Sequence, residues 1–345
     1  MNELPTVRDW YMTGGELATR FGELPLGLAE LGSRCGEQGK KSGELVAGLD
    51  EQKGEGSMAA RTGPTFIRLM LGAELTRLRE GAGLTGEQAA KVAGTNTTTI
   101  SNVEGGKSGF RRLEQFVKLL DKYGVESEAK DELTDWYKRS KEEDWWTPRI
   151  SVMPSGMNLF LAFEGGADGA SAYSNGIHGL LQGPAYARAS VESAKAPDET
   201  TSEFVDSVVE IRTNRRKRIT EDGLEFSCIM DEATFRTGVG TPAIMREQLR
   251  DIAELCDLPN VTVRIIPSAA MAYRAPGPFS IMTFDPSKLP GPVVSTDLVS
   301  NAVQFVSKTR SVRLFERRFE HMSRGAMPAQ DTPKFLAKLV KEVWS

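Results

Sequence analysis

The segment Asn96-Thr97-Thr98-Thr99-Ile100-Ser101-Asn102-Val103-Glu104, followed by Gly105-Gly106-Lys107, concentrates short amides and hydroxyls within about two helical turns. Such side chains have no covalent chemistry of their own without a base beside them. They donate to and accept from other polar edges, and along one helix face they match what a DNA major groove presents. Ile100 and Val103, at i and i+3, give the same segment a face to bury. Asn96 suits an N-cap, and the glycine pair stops the helix.

Catalytic chemistry has thinner raw materials. The two histidines, His178 and His321, each lack a second histidine at metal-ligand spacing. The three cysteines, Cys35, Cys228 and Cys256, form no Cys-x-x-Cys pair, so neither a disulfide framework nor a zinc site is indicated. Cys228 sits in an apolar strand pattern and Cys256 follows a helical Leu255, which reads as buried structural thiols. Asp231-Glu232 has no partner carboxylate and reads as the end of a strand. The glycine stretch Glu164 to Gly169 lacks the Lys-Ser or Lys-Thr of a phosphate loop. The segment around Tyr273, Pro276, Pro278 and Phe279 reads as packing at the start of a strand, with a ligand cavity as the alternative. We expect no catalytic residues, no metal and no cofactor, hence a protein that is not an enzyme.

The elements that must position the polar segment are legible around it. Thr85 with Gln88 three residues on is a capping box, and it starts a helix that carries Ala89, Ala90 and Ala93 and stops at Gly94. Upstream, Leu71, Leu75 and Leu78 mark an amphipathic helix ending near Gly81. Downstream, Leu113, Phe116, Val117, Leu120 and Tyr123 mark another before Gly124. Residues 66–125 thus form a bundle of four or five short helices. It holds nine Lys or Arg against six Asp or Glu, whereas the whole chain has a net charge of -4. The attraction for nucleic acid is therefore concentrated on this bundle, and it is modest.

These residues resemble the Cro/C1-type (XRE) helix-turn-helix family of transcription regulators. Leu84-Thr85, Gly94, Ile100-Ser101, Glu104 and Gly106-Lys107 fall at that family's marked positions. The chain departs from it at Gly86, where the family commonly has Gln, and at Asn102, where Arg is frequent. The resemblance implies double-stranded DNA as partner, with Thr97, Thr98, Thr99 and Asn102 as base readers and Ser101 on the same polar face. Gln88, Lys107 and Arg111 are expected to contact phosphates, and Thr85 and Asn96 to cap the two helices. Arg77, Arg79, Lys91 and Arg112 are further cations of the region. So few bidentate readers imply two copies on a two-fold operator, hence a homodimer.

Residues 1–57 are Gly-rich and acidic with fragments of helical pattern, and are read as a weakly structured extension. Relatives of the resembling family start where Met58 stands, so the native start is expected there. Mass-spectrometric peptides from residues 1–57 would refute that. Residues 126–149 read as a linker helix with Leu133, whose aromatics Trp136, Tyr137, Trp145 and Trp146 pack into the next domain, with base stacking by the tryptophans as the alternative.

Residues 150–345 read as an α+β domain with a small mixed sheet. Helices are expected at 156–173, 200–219, 241–256, 300–322 and 333–344, and strands at 224–230, 261–266, 279–284 and 293–297. The cationic run Arg212, Arg215, Arg216, Lys217 and Arg218 reads as a solvated face paired with Glu210, Glu221 and Asp222, with flanking DNA or an acidic partner as alternatives. The Gly179-Leu180-Leu181-Gln182 run with Tyr186-Ala187-Arg188, Asp231-Glu232-Ala233, Leu258 to Val263, and Gly277-Pro278-Phe279 resemble the C-terminal domain of an actinobacterial regulator group called WhiJ-like. The group departs from this chain at His178, where Pro is usual, and at Ser295-Thr296-Asp297. The resemblance implies a sensing or partner-binding domain, often linked to a small acidic protein encoded nearby. An antitoxin-like protein that binds such a neighbour and represses its own operon is the alternative function. No apolar run reaches membrane-spanning length and no leader is evident, so a cytoplasmic address is expected.

Overall fold

The computed structural model describes residues 62–194, 201–298 and 302–345. The extension at 1–57, the start at Met58 and Cys35 lie outside the described residues.

Five helices form the N-terminal bundle: α1 (Pro64–Gly81), α2 (Gly86–Ala93), α3 (Thr97–Glu104), α4 (Leu113–Lys122) and α5 (Ser127–Arg139). Leu71 and Leu75 of α1, the alanines of α2, Ile100 and Val103 of α3, and Phe116, Leu119 and Leu120 of α4 bury one core. Helix α5 lies in the stretch read as a linker, yet Leu133 and Tyr137 close this same core. Tyr137 stacks on Phe116 with ring centroids 5.1 Å apart and donates its hydroxyl to the Phe110 carbonyl. Only Trp146 goes the way expected of all the aromatics, into the core of the following domain, while Trp145 stands against it edge-on and exposed.

The C-terminal half is an α+β domain around a six-stranded mixed sheet of order β3-β2-β1-β4-β5-β6. Helix α6 (Met157–Gly166) leads into β1 (Gly169–Ser174), and α7 (Pro184–Ser193) and α8 (Ser202–Thr220) cross over to β2 (Glu225–Asp231). The short α9 (Glu232–Arg236) and α10 (Pro242–Leu255) cross over to β3 (Val261–Ile266). Strands β1, β2 and β3 are parallel, as crossovers of that length require. Then β4 (Phe279–Thr283), β5 (Val293–Leu298) and β6 (Ala302–Val306) add antiparallel neighbours, and α11 (Thr309–Gly325) and α12 (Thr332–Glu342) complete the chain.

The period of two along each strand sorts side chains to two faces. Ala170, Ala172, Phe226, Cys228, Met230, Val261, Val263, Ile265, Met282 and Val293 face α6, α8, α10 and α12. Tyr173, Ile229, Ile266, Phe279, Ile281 and Val294 face Val312 and Met322 of α11. Both described cysteines are packed in the domain, and burial pushes the Cys228 thiol up and the Cys256 thiol to about 11.

Two segments differ from expectation. The helix expected over 156–173 ends at Gly166 and gives way to β1, because Gly165-Gly166 ends the apolar helix and Ala170, Ala172 and Tyr173 alternate faces. The helix expected from 300 starts at Thr309, after the edge strand β6.

Helix α1 belongs to both cores. Phe66 and Leu69 enter the C-terminal core, one turn from Leu71 and Leu75 in the bundle core. Phe66 is fully buried, stacks on Phe284 at 5.4 Å, and lies flat on Gly166, where a Cβ would come within 2.3 Å of its ring. At its other contact α1 approaches α3 so closely that a Cβ on Gly72 would be 2.5 Å from the Glu104 carbonyl oxygen.

Candidate nucleic-acid interface

The turn between α2 and α3 is set by local hydrogen bonds. Gln88 N donates to Thr85 Oγ1 at 3.2 Å and Thr85 N donates to Gln88 Oε1 at 2.8 Å, which completes the capping box. Gly94 takes the left-handed conformation (φ 62°, ψ 44°) that a side chain would strain. Asn96 Oδ1 then accepts from Thr99 N at 2.8 Å and from Thr99 Oγ1 at 3.0 Å.

Helix α3 is held from behind by a clamp. Arg79 of α1 donates Nε and Nη2 to the two carboxylate oxygens of Glu104 at 2.6 and 3.0 Å, and Nη1 to the Leu84 carbonyl at 2.9 Å. This fork-to-fork pair is largely enclosed, and the hydrogen bond to Glu104 holds the guanidinium above its ordinary value despite partial burial. Arg79, counted among the cations of the region, is therefore an anchor for α3. Nothing in the spacing of residues 25 positions apart announces such a pair; the Glu at the family's marked position is the one sequence signal for it.

The solvent side of α3 carries the expected readers unevenly. Thr97, Thr98 and Ser101 are exposed, Asn102 and Thr99 are half-buried, and the Thr99 hydroxyl is engaged by the cap. Asn96 and Thr85 are exposed residues whose side-chain oxygens already accept backbone N–H groups, and Gln88 keeps its amide NH2 for a further partner. Beside the helix, Lys107, Arg111 and Arg112 are exposed and form no ion pair with a described residue. Arg77 and Lys91 instead pair within their own helices with Glu74 and Glu87. The structure thus leaves the hydroxyls of Thr97, Thr98 and Ser101 exposed on α3, and beside it three exposed cations that form no ion pair with a described residue.

A family model described as a helix-turn-helix domain matches residues 70–133, and one described as a domain of unknown function, DUF5753, matches residues 157–338, more than half of the chain. The chain belongs to the DUF5753 family. No curated protein and no solved structure matches it. In this DUF5753 protein the helix-turn-helix match extends through Leu133, the α5 residue that closes the bundle core. Among the described residues no helix is long and apolar enough to cross a membrane, and no group of three or more His, Cys, Asp and Glu stands ready to hold a metal.

Gly86 offers a direct test of this surface. It opens α2, and a Cβ there would lie 3.7 Å from Thr97 Cγ2, an ordinary contact. Gly86→Gln therefore introduces an amide at the N-terminal end of α2, where its Cβ meets no clash. Operator affinity in a mobility shift is expected to rise roughly threefold to tenfold, the worth of about one hydrogen bond. Because the new group is neutral, the salt dependence should not change.

Proposed function

We propose that this chain is a sequence-specific transcription regulator of the Cro/C1-type (XRE) kind, in the WhiJ-like group, that binds a two-fold operator as a homodimer. Helix α3 enters the major groove, Thr97, Thr98 and Ser101 read base edges, and Asn102 adds a reader at the C-terminal turn. Lys107, Arg111 and the Gln88 amide hold phosphates, with Arg112 as a third cation. The observation that carries this reading is the exposed hydroxyl face of α3, on a helix clamped at Glu104, beside exposed cations that form no ion pair with a described residue. Single hydroxyl contacts contribute little per base, so two half-sites about one helical turn apart supply specificity. Dimerisation and the response to a ligand or partner fall to the C-terminal domain.

Genome-wide footprinting followed by a mobility shift on the best site tests it. Wild type should select a palindromic site, and Thr98→Ala/Ser101→Ala should weaken binding to that site by roughly tenfold or more while leaving nonspecific binding unchanged. Both positions are exposed, so the fold is unaffected. A folded protein that enriches no site would move the bundle to a protein-interaction role.

A further inference from the structure

Of the cationic run of α8, read from sequence as a solvated face, Lys217 is exposed and the arginines are folded inward. Arg215 is enclosed and donates Nε and Nη2 to both carboxylate oxygens of Glu164 at 2.8 and 2.9 Å, with its guanidinium 4.9 Å above the Phe160 ring. Arg216 pairs with Asp251, and Arg218 pairs with Asp222 and donates to the Glu164 and Ala167 carbonyls. Glu210, expected to neutralise the run, pairs with Arg149 instead.

Among these arginines Arg212 is the exception, and it lines a cavity. The cavity, of about 220 Å³, sits over the sheet where the parallel strands give way to the antiparallel ones, at the end of β1. That is where open sheets with crossover helices place ligands. Its floor breaks the apolar face: Ser174, Ser280, Ser295 and Asp297 stand on β1, β4 and β5 in the register that elsewhere carries Ala172, Met282 and Val293. Met157 and Phe160 of α6, with Ile177, supply apolar wall.

The polar groups around this space are unevenly satisfied. Arg212 donates Nη1 to the Ala187 carbonyl at 3.2 Å and has no carboxylate partner among the described residues. Burial, and then Arg215, pull its guanidinium down to about 10. Gln182 is more than nine-tenths buried; its amide donates to the Ile177 carbonyl at 2.6 Å, and its Oε1 has no hydrogen-bond partner. Asp297, exposed at the mouth, forms no ion pair with a described residue. Leu180 N donates to His178 Nδ1, which leaves the proton of the neutral ring on Nε2. Burial, then Arg215, hold that imidazole at about 3, although part of its surface opens onto the cavity.

Glu164 cancels Arg215, and His178 is neutral. What remains among the described residues is one cation without an acid, one carboxylate that forms no ion pair but lies in the field of Arg215, and one orphaned carbonyl oxygen around a small, partly apolar space. We propose that this cavity binds a small zwitterion of the α-amino-acid class, its carboxylate on Arg212, its ammonium between Gln182 Oε1 and Asp297, and its side chain against Met157 and Phe160. An anion alone would leave Asp297 and Gln182 unmatched, and a cation alone would leave Arg212 so. The volume, below the roughly 300–1,000 Å³ of sites for drug-sized ligands, suits a single amino acid better than a nucleotide or a longer peptide.

The same helix that lines the cavity reaches the DNA-binding bundle. Helix α6 carries Met157 and Phe160 on the wall, Glu164 on Arg215, and Gly166 under Phe66 of α1. Helix α1 carries Gly72 against the last turn of α3. A ligand that moves α6 therefore acts on the element that seats the recognition helix.

The test uses the full chain without DNA, so it stands or falls apart from the operator reading. Thermal melts and titration calorimetry are run with the standard amino acids one at a time, and with acetate and methylamine as half-ligands. At least one amino acid should raise the melting temperature of the wild type, and neither half-ligand should. Arg212→Gln and Asp297→Asn should each weaken that binding by roughly tenfold or more, the worth of a charge-assisted hydrogen bond. Both variants are expected to melt near the wild type, since Arg212 makes one backbone hydrogen bond and Asp297 no ion pair. No response to any amino acid, binding that survives both substitutions, or acetate binding as tightly as the amino acid would overturn the proposal.

Discussion

Replacing Lys107, Arg111 and Arg112 together by alanine is expected to weaken operator binding by roughly a hundredfold to a thousandfold and to flatten the salt dependence. Each phosphate contact removed lowers the slope of log K against log salt by about one, so the triple variant should lose about three units per protomer. The size of the effect follows from how the other cations of the bundle are used. Arg79 is held by Glu104, and Arg77 and Lys91 by acids of their own helices. Helix α3 has no cation at all. The three exposed side chains beside α3 therefore carry the electrostatic contact next to the recognition helix, whereas Lys118 and Lys122, also exposed, lie on α4. The outcome also separates affinity from recognition. The triple variant should lose specific and nonspecific DNA alike, whereas Thr98→Ala/Ser101→Ala should lose the operator only. Unchanged affinity and slope in a folded triple variant would place the DNA elsewhere on the chain.

The helix-turn-helix was legible because its determinants are local. Thr85 and Gln88 lie three residues apart, Gly94 ends the helix they start, and Asn96 caps the next, so each rule is satisfied within one turn of chain. The C-terminal domain was legible where periodicity was strong, as in β2, β3 and α10, and obscure where tertiary context overrides propensity. Strand β1 reads Gly-Ala-Ser-Ala-Tyr-Ser, poor in β-branched residues, yet it is central, with β2 and β4 on its two sides. Strand β6 is a five-residue edge paired on one side only, easily absorbed into the helical pattern that follows it.

The cavity was the least legible part, for a physical reason. A run of arginines on a helix has the same sequence whether water or folded acids neutralise it, and the acids here come from 51 residues upstream and 35 downstream. One signal did exist. Glu164 is the single charged residue in the otherwise apolar helix Met-Asn-Leu-Phe-Leu-Ala-Phe-Glu-Gly-Gly, and a carboxylate in such a helix demands a cation from another element. The serines that interrupt β4 and β5 on the core-facing register are a second signal of the same kind.

Glu164→Leu is therefore expected to have the largest effect on stability of any single change in the C-terminal domain. Its partner Arg215 would be left enclosed without its ion pair, close to Arg212, which has no acid partner among the described residues. Removing one member of a buried pair costs about 3–5 kcal/mol, and for a domain of this size that lowers the melting temperature by roughly 10 °C. Glu164→Leu/Arg215→Met should recover most of the loss, because the penalty belongs to the stranded charge and not to the pair, and thermal melts of both variants give the comparison. Since Gly166 and Phe66 sit two residues beyond Glu164 on the seam between the two cores, the single variant should also loosen α1 from α6. The readout that distinguishes this from simple destabilisation is amide exchange in α1, which should quicken in Glu164→Leu below its melting range while α4, buried in the bundle core alone, keeps its protection. Equal protection of α1 in both proteins would mean that the seam is held by Phe66 and its neighbours without help from the Arg215 pair.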